Sequence, residues 1–270
     1  MAKYNYNKLG VKFMNQAINV IRNRSSLRGY KDEEISKEDL DIILESAMRA
    51  PTAGNMMLYS VIVVKNQELK EKLAVSCDNQ PFIAKAPVLL IFLADYNKWY
   101  KYYEQNNINE FLESKGEHIE APSEANLLLA TEDAVIAAQN AVIAAESLGI
   151  GSCYIGDIIE NIEYHRELLK LPKYVMPIVM LTLGYYPENC EIKLKERFKR
   201  DYVIFDEEYK ELSEEEITDM FSERDKLYFK ENRYGADNYA QMHYSFKTKS
   251  GFSKEMERSV KIALEEWNGK

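Results

Sequence analysis

The sequence predicts a fold of interleaved helices and short strands, mostly helical, that is not a dinucleotide-binding parallel sheet. Three observations predict it. Short β-branched runs alternate with stretches of helical period. One long segment, 124–148, is rich in alanine and apolar on most sides, and a helix of that kind is buried. Finally, Gly149-Ile150-Gly151-Ser152-Cys153-Tyr154 approaches the dinucleotide-binding glycine pattern, but Tyr154 stands at the third glycine and the segment follows a helix rather than a strand.

Taken in order, residues near 8–22 form an amphipathic helix with Leu9, Phe13, Ala17, Val20 and Ile21 on one side. Ser36-Lys37-Glu38-Asp39 offers a serine N-cap and an acidic first turn to a second helix, which runs to about Arg49 and is stopped by Pro51. Tyr59 to Val64 reads as a buried strand, a helix follows near 67–76, and Pro87 to Leu93 reads as a second buried strand. Residues 96–120 are polar and rich in tyrosine, an inserted helical excursion. The segment 124–148 reads as the central helix and a candidate for a dimer interface, because its alanines let another backbone approach closely. Gly149 and Gly151 end it. Strands at 152–155 and 175–183 with a helix near 157–169 follow, and the chain after Phe205 reads as helical and charged. One domain over residues 1–270 is expected, with the insertion at about 96–120 and a helical C-terminal extension at about 206–270.

Composition bounds the function. The chain has 270 residues, 46% of them hydrophobic, enough for a sizeable core. A net charge of −9 argues against a non-specific nucleic-acid binder. No uninterrupted apolar run approaches the roughly 18 residues of a membrane span, and the first residues carry no apolar signal region, so no membrane or secretory role is expected. Cys77, Cys153 and Cys190 are odd in number and widely spaced, which suggests neither a metal site nor a disulfide framework. A reducing, cytoplasmic setting follows as the default. No GxxxxGK[ST], GxSxG or HExxH occurs, which removes common routes to an NTPase, a serine hydrolase or a zinc protease.

Four segments carry chemistry. Arg24 and Arg28 flank Ser25 and Ser26 directly after a helix. Guanidinium forks match phosphate oxygens and hydroxyls add donors, although a solvated helix end would look the same. Pro51, Thr52, Ala53, Gly54 and Asn55 form a loop of small residues. Such a loop lets a ring or backbone approach closely, or simply connects a helix to a strand. Tyr154, Ile155 and Gly156 end a strand on a residue without a Cβ, so a flat heterocycle stacked there meets no side chain. Cys153 beside them reads as a small buried hydrophobe, since no histidine lies nearby in sequence. His118, His165 and His243 form no ligand-like cluster. Lys193, Lys195 and Arg197 alternate along an extended stretch and point to one side, out of character in an acidic chain. Gln80 has an amide that can donate and accept; it is also an ordinary turn residue.

Together these segments resemble the FMN-dependent nitroreductase family, over about Ala17 to Tyr202. Arg24 to Tyr30 resembles the family's opening FMN-phosphate motif and Ala50 to Asn55 its second motif. There the family usually continues into Gln-Pro. Met57-Leu58 stands here instead, so that glutamine contact is not carried over. Leu148 to Gly156 is similar to the third motif, and Lys195-Glu196-Arg197 to the late basic clamp. The insertion and C-terminal part resemble the larger, NADPH-preferring nitroreductase and flavin reductase branch.

The resemblance implies an α+β fold, a mostly antiparallel central sheet surrounded by helices, in a homodimer with FMN sites at the subunit interface. It implies hydride transfer from NADPH or NADH through FMN to a nitroaromatic, quinone or flavin acceptor by a ping-pong route, with no metal and no catalytic side chain required. The residues expected to hold FMN are Arg24, Ser25, Ser26, Arg28, Pro51, Thr52, Ala53, Gly54, Asn55, Gln80, Tyr154, Ile155, Gly156, Lys195 and Arg197. In the larger branch the C-terminal region can hold the extra phosphate of NADPH, and Arg233 is the residue expected to do so here. A flavin-binding sensor or storage protein without turnover fits the same motifs. The two differ in whether bound flavin is reduced by NAD(P)H and reoxidised by an acceptor.

Overall fold

A computed structural model of the chain describes residues 16–229 and 234–268. It divides into two compact units, one running to Lys193 and resuming at Ser259, the other Leu194–Arg258.

The first unit begins with α1 (Gln16–Asn23) and α2 (Lys37–Met48). A 3₁₀ turn at Ala53–Asn55 leads into β1 (Tyr59–Val64), followed by α3 (Gln67–Ser76), α4 (Pro81–Lys85) and β2 (Val88–Asp95). Two short helices come next, α5 (Asn97–Gln105) and α6 (Ile108–Glu113), then the long α7 (Glu124–Ser147). β3 (Ile150–Ile155), α8 (Ile162–Leu168) and β4 (Val175–Tyr185) complete the sheet. The second unit holds α9 (Glu214–Tyr228), α10 (Tyr239–His243) and a π-helical turn. Its boundary with the first unit falls inside α11 (Gly251–Trp267).

The sheet has the order β1-β2-β4-β3 and every pair in it is antiparallel. It is covered on both faces, which is why β2 is buried at every position. Side chains alternate along a strand. Leu90, Phe92 and Ala94 accordingly join the core built with α2, α7 and α11, while Leu89, Ile91 and Leu93 join the core built with α3 and α4. A bulge between Phe92 and Leu93 shifts the β2–β4 register.

Several expected boundaries hold because their local chemistry is strong. The Ser36 hydroxyl accepts from the Asp39 N–H at 3.0 Å and caps α2, and Asn66 caps α3 through the Leu69 N–H at 2.9 Å. The single helix expected near 157–169 is broken. A 3₁₀ turn at Asp157–Ile159 precedes α8, with Asn161 between them at φ 48°. β3 starts two residues earlier than expected, because Gly149, at φ 75°, already ends α7 in the left-handed region. α4 had no forecast; Pro81 sits at its start, where a missing N–H costs nothing.

Within this single chain, the helix expected to be buried, and named as a candidate for a dimer interface, is buried on one side. Ala130, Ala134, Ala137, Ala138 and Ala141 pack against α2 and the sheet. Leu128, Leu129, Val135 and Ile136 are exposed at 65%, 42%, 39% and 39%. Among the described residues α7 is the one helix long and apolar enough to cross a bilayer by length and composition. Its buried alanine face is that of a core helix.

Candidate functional site

The first predicted segment is fixed to the sheet by its backbone. After α1 the chain pairs Ser26 with Ser152 of β3 in a parallel bridge, and the Leu27 N–H donates to Ser152 O at 2.9 Å. Leu27 is buried directly over Gly151, where an added Cβ would lie 2.5 Å from Leu27 Cδ2 and 2.9 Å from the Tyr186 ring. Only glycine permits that approach. Tyr30 donates to Thr182 Oγ1 at 2.6 Å, and burial raises its phenol. The first and third segments are therefore neighbours by construction.

Arg24 emerges half-buried from this corner, and its Nε is buried without a hydrogen-bond partner among the described residues. Its charge acts on Cys153, Tyr154, Glu146 and Tyr186. Tyr186 donates to Glu146 Oε1 at 2.7 Å, and burial raises the Glu146 carboxyl against the opposing pull of that bond and of Arg24. Arg28 lies 5.8 Å from the centre of the Phe82 ring. The Ser25 hydroxyl donates to Lys193 O at 3.2 Å, and Ser26 is exposed.

On β3, Ile155 is buried and Tyr154 is half-buried, its hydroxyl 3.2 Å from Gln139 Oε1 on α7. Burial pushes that phenol up to about 12. An added Cβ at Gly156 would meet nothing within 4 Å, so the strand ends on open space. The Cys153 thiol is buried and raised by burial.

The second segment hangs from α7 as well. Asp133, 2% exposed, accepts from the Ala53 N–H at 2.9 Å and the Leu58 N–H at 3.0 Å. Between them Gly54, Asn55 and Met57 have φ of 55°, 57° and 51°. Thr52 Oγ1 accepts from the Met57 N–H at 3.1 Å, and Trp99 Nε1 donates to Met56 O at 2.7 Å. Pro51, Gly54 and Asn55 are exposed. Gln80 stands before α4 and donates to Cys77 O at 2.9 Å.

Lys195 and Arg197 belong to the second unit, where both are exposed and neither has an ion pair among the described residues. Arg233 lies outside the described residues. Sequence reasoning missed Asp133 and Glu146. The signal for Asp133 was present: an acid whose neighbours one helical turn away, Ala130 and Ala137, belong to the face that had to be buried. It also left His165 undistinguished. That ring is fully buried, with Nδ1 2.9 Å from Ile158 O and Nε2 2.7 Å from Ser76 Oγ. A cleft of about 700 Å³ lined by Tyr30, Lys65, Lys70 and Lys85, among others, shares no residue with the predicted cofactor set.

The residues present fit a phosphorylated flat heterocycle. A buried guanidinium nitrogen lacks a partner among the described residues, the third segment ends on space that a side chain would otherwise enter, and the second keeps its strained small residues exposed. The fold is that of an α+β protein with a four-stranded antiparallel sheet, and its first and third predicted segments meet at Ser26 and Ser152. The model of the nitroreductase family matches residues 21–185, and the chain belongs to that family. It is 35% identical over 205 residues to an FMN reductase [NAD(P)H] of Bacillus subtilis, covering 76% of this chain and 78% of that one. It is 30% identical over 207 residues to an oxygen-insensitive NADPH nitroreductase of Salmonella typhimurium, covering 74% and 78%. Its fold superposes on the B. megaterium NfrA2 structure with a TM-score of 0.78 at 32% identity, covering 94% of this chain and 98% of the other.

Proposed function

We propose that the chain is an NAD(P)H-dependent FMN oxidoreductase that reduces a nitroaromatic, quinone or flavin acceptor. The observation that carries this reading is Arg24, whose buried Nε has no partner among the described residues although its charge reaches the third motif. Burying a guanidinium donor without an acceptor is costly, and a phosphate supplies the missing acceptor.

Bound FMN supplies the hydride-transfer chemistry of the reaction. The chain supplies binding, orientation and room. Arg24 and Arg28, with Ser25 and Ser26, would hold the phosphate, and Lys195 and Arg197, which belong to the second unit, are further cations with the chemistry to do so. Pro51 to Asn55, Tyr154 to Gly156 and Gln80 border the ring. No protein nucleophile is needed, in keeping with a Cys153 thiol held protonated by burial. Nicotinamide and acceptor occupy the open side in turn, and Arg233 holds the 2′-phosphate of NADPH.

The working form is a cytoplasmic homodimer. Support for the dimer comes from the outer face of α7, where the exposed pairs Leu128-Leu129 and Val135-Ile136 lie two turns apart on one side. Purified protein should carry flavin absorbance close to one FMN per chain. That absorbance should bleach on anaerobic addition of NADPH and return on addition of a quinone. A colourless protein that shows no saturable FMN binding would overturn the reading.

A further inference from the structure

We propose that Asp133 is the positioning residue of the loop at the flavin ring: its carboxylate fixes the span from Ala53 to Leu58 and so holds Gly54 and Asn55 in the conformation that meets the ring. The proposal rests on the reading of residues 51–55 as a border of the flavin.

The surroundings of Asp133 give it one task. It sits on the alanine face of α7, 2% exposed, and no cation pairs with it among the described residues. A carboxylate is expensive to bury without compensation, and any neutral residue of similar size would spare that cost. Both oxygens are instead used, one on each end of a single loop. No neutral side chain of that size presents two acceptors in this way. Asparagine would place a donor against one of the two N–H groups.

What the carboxylate holds is a conformation that does not hold itself. Asn55 and Met57 occupy the left-handed region at φ 57° and 51°, which side-chain-bearing residues adopt at a cost. The loop's own bonds satisfy three further donors. Asn55 N–H donates to Thr52 O, Met56 N–H to Ala53 O and Met57 N–H to Thr52 Oγ1. With Ala53 and Leu58 taken by Asp133, the Gly54 N–H is the one backbone donor from 53 to 58 without an acceptor among the described residues. Gly54 is exposed. Asp133 therefore leaves one free donor, on the residue that carries no side chain to obstruct a ring.

The test separates ring from phosphate. FMN and riboflavin share the ring and differ in the phosphate. Full-length apoprotein is titrated with each, following flavin fluorescence and the visible spectrum of the bound form. Asp133→Asn should weaken both ligands by the same factor, about tenfold or more for a lost hydrogen bond to a charged group, and should shift the bound-flavin absorption band. Arg24→Ala should weaken FMN and leave riboflavin unchanged, and the effects should multiply in the double variant. Should Asp133→Asn fail to fold, Ala53→Pro removes one donor from the loop side. Proline is tolerated there because Thr52 is extended, with φ −136° and ψ 153°. It should weaken both flavins alike. Wild-type affinity and spectrum in whichever of the two variants folds overturns the proposal while leaving the flavin site standing. A wild-type protein that binds neither ligand overturns both.

Discussion

Arg24 and His165 show what burial does to a single side chain, in opposite ways. The buried Nε of Arg24 has no hydrogen-bond acceptor among the described residues. If a phosphate completes it, Arg24→Ala should cost about 1.5–3 kcal/mol of FMN affinity, as should Arg197→Ala, with the fold intact. Unchanged FMN titrations in both variants would remove the phosphate site. His165 gives up its charge, because burial lowers its pKa from the ordinary value of 6.5 and outweighs the backbone carbonyls that favour the proton. With Nδ1–H donating to Ile158 O, Nε2 accepts from Ser76. The folded state thus prefers the neutral ring. Its contribution is fully present above pH 6.5 and is lost as the pH falls from there through the lowered folded value. Denaturant midpoints should decline between about pH 7 and pH 5, and His165→Gln should flatten that decline. A variant with the wild-type slope would show that other groups cause it.

At the scale of elements, α7 is where the site is organised. Asp133 holds the second motif, Gln139 meets Tyr154 of the third, and Glu146 holds Tyr186 within reach of Arg24. Asp133 to Glu146, a rise of about 20 Å along one helix, thereby sets the spacing of three segments far apart in sequence. Little of this was legible beforehand. The strands at 59–64 and 175–183 and the cap at Ser36 follow from local preference, so the sequence announces them. A tether from α7 to residue 53 depends on tertiary packing and leaves only an unexplained acid among alanines. Glycine spacing announced the β3 motif, but not that Gly151 seats Leu27. Gly151→Ala should destabilise the chain by about 1–3 kcal/mol through overpacking, read as a lower denaturant midpoint. The two faces of α7 make separate forecasts. Ala137→Glu buries a charge and should unfold the protein. Leu128→Glu and Val135→Glu lie on the exposed face and should leave the chain folded while shifting sedimentation from dimer to monomer. Dimers that persist in both variants would place the interface elsewhere.

For the molecule as a whole, the candidate segments that local pattern makes legible lie in the first unit. Arg24 to Arg28, Pro51 to Asn55 and Tyr154 to Gly156 could be read from glycines, small residues and paired cations, and the first and third are joined by the Ser26–Ser152 bridge. The basic segment Lys195-Glu196-Arg197 lies in the second unit, and its role was legible only through resemblance, since two exposed cations fit a solvated loop equally well. The same holds for choice of nicotinamide. Lys226 pairs with Glu223 at 2.8 Å and Lys247 lies 5.1 Å from the centre of the Phe246 ring, so each already has a local role in this acidic chain. Arg233 remains the proposed contact, because its fork can bind the 2′-phosphate of NADPH bidentately where NADH offers a hydroxyl. The protein should therefore prefer NADPH, and Arg233→Ala should lower kcat/KM for NADPH by about tenfold or more with little change for NADH, the signature of one lost charge-assisted contact. Steady-state rates with both nucleotides decide it. Equal kcat/KM in the wild type would end the proposal, and an NADPH preference that survives Arg233→Ala would move the phosphate contact to another residue.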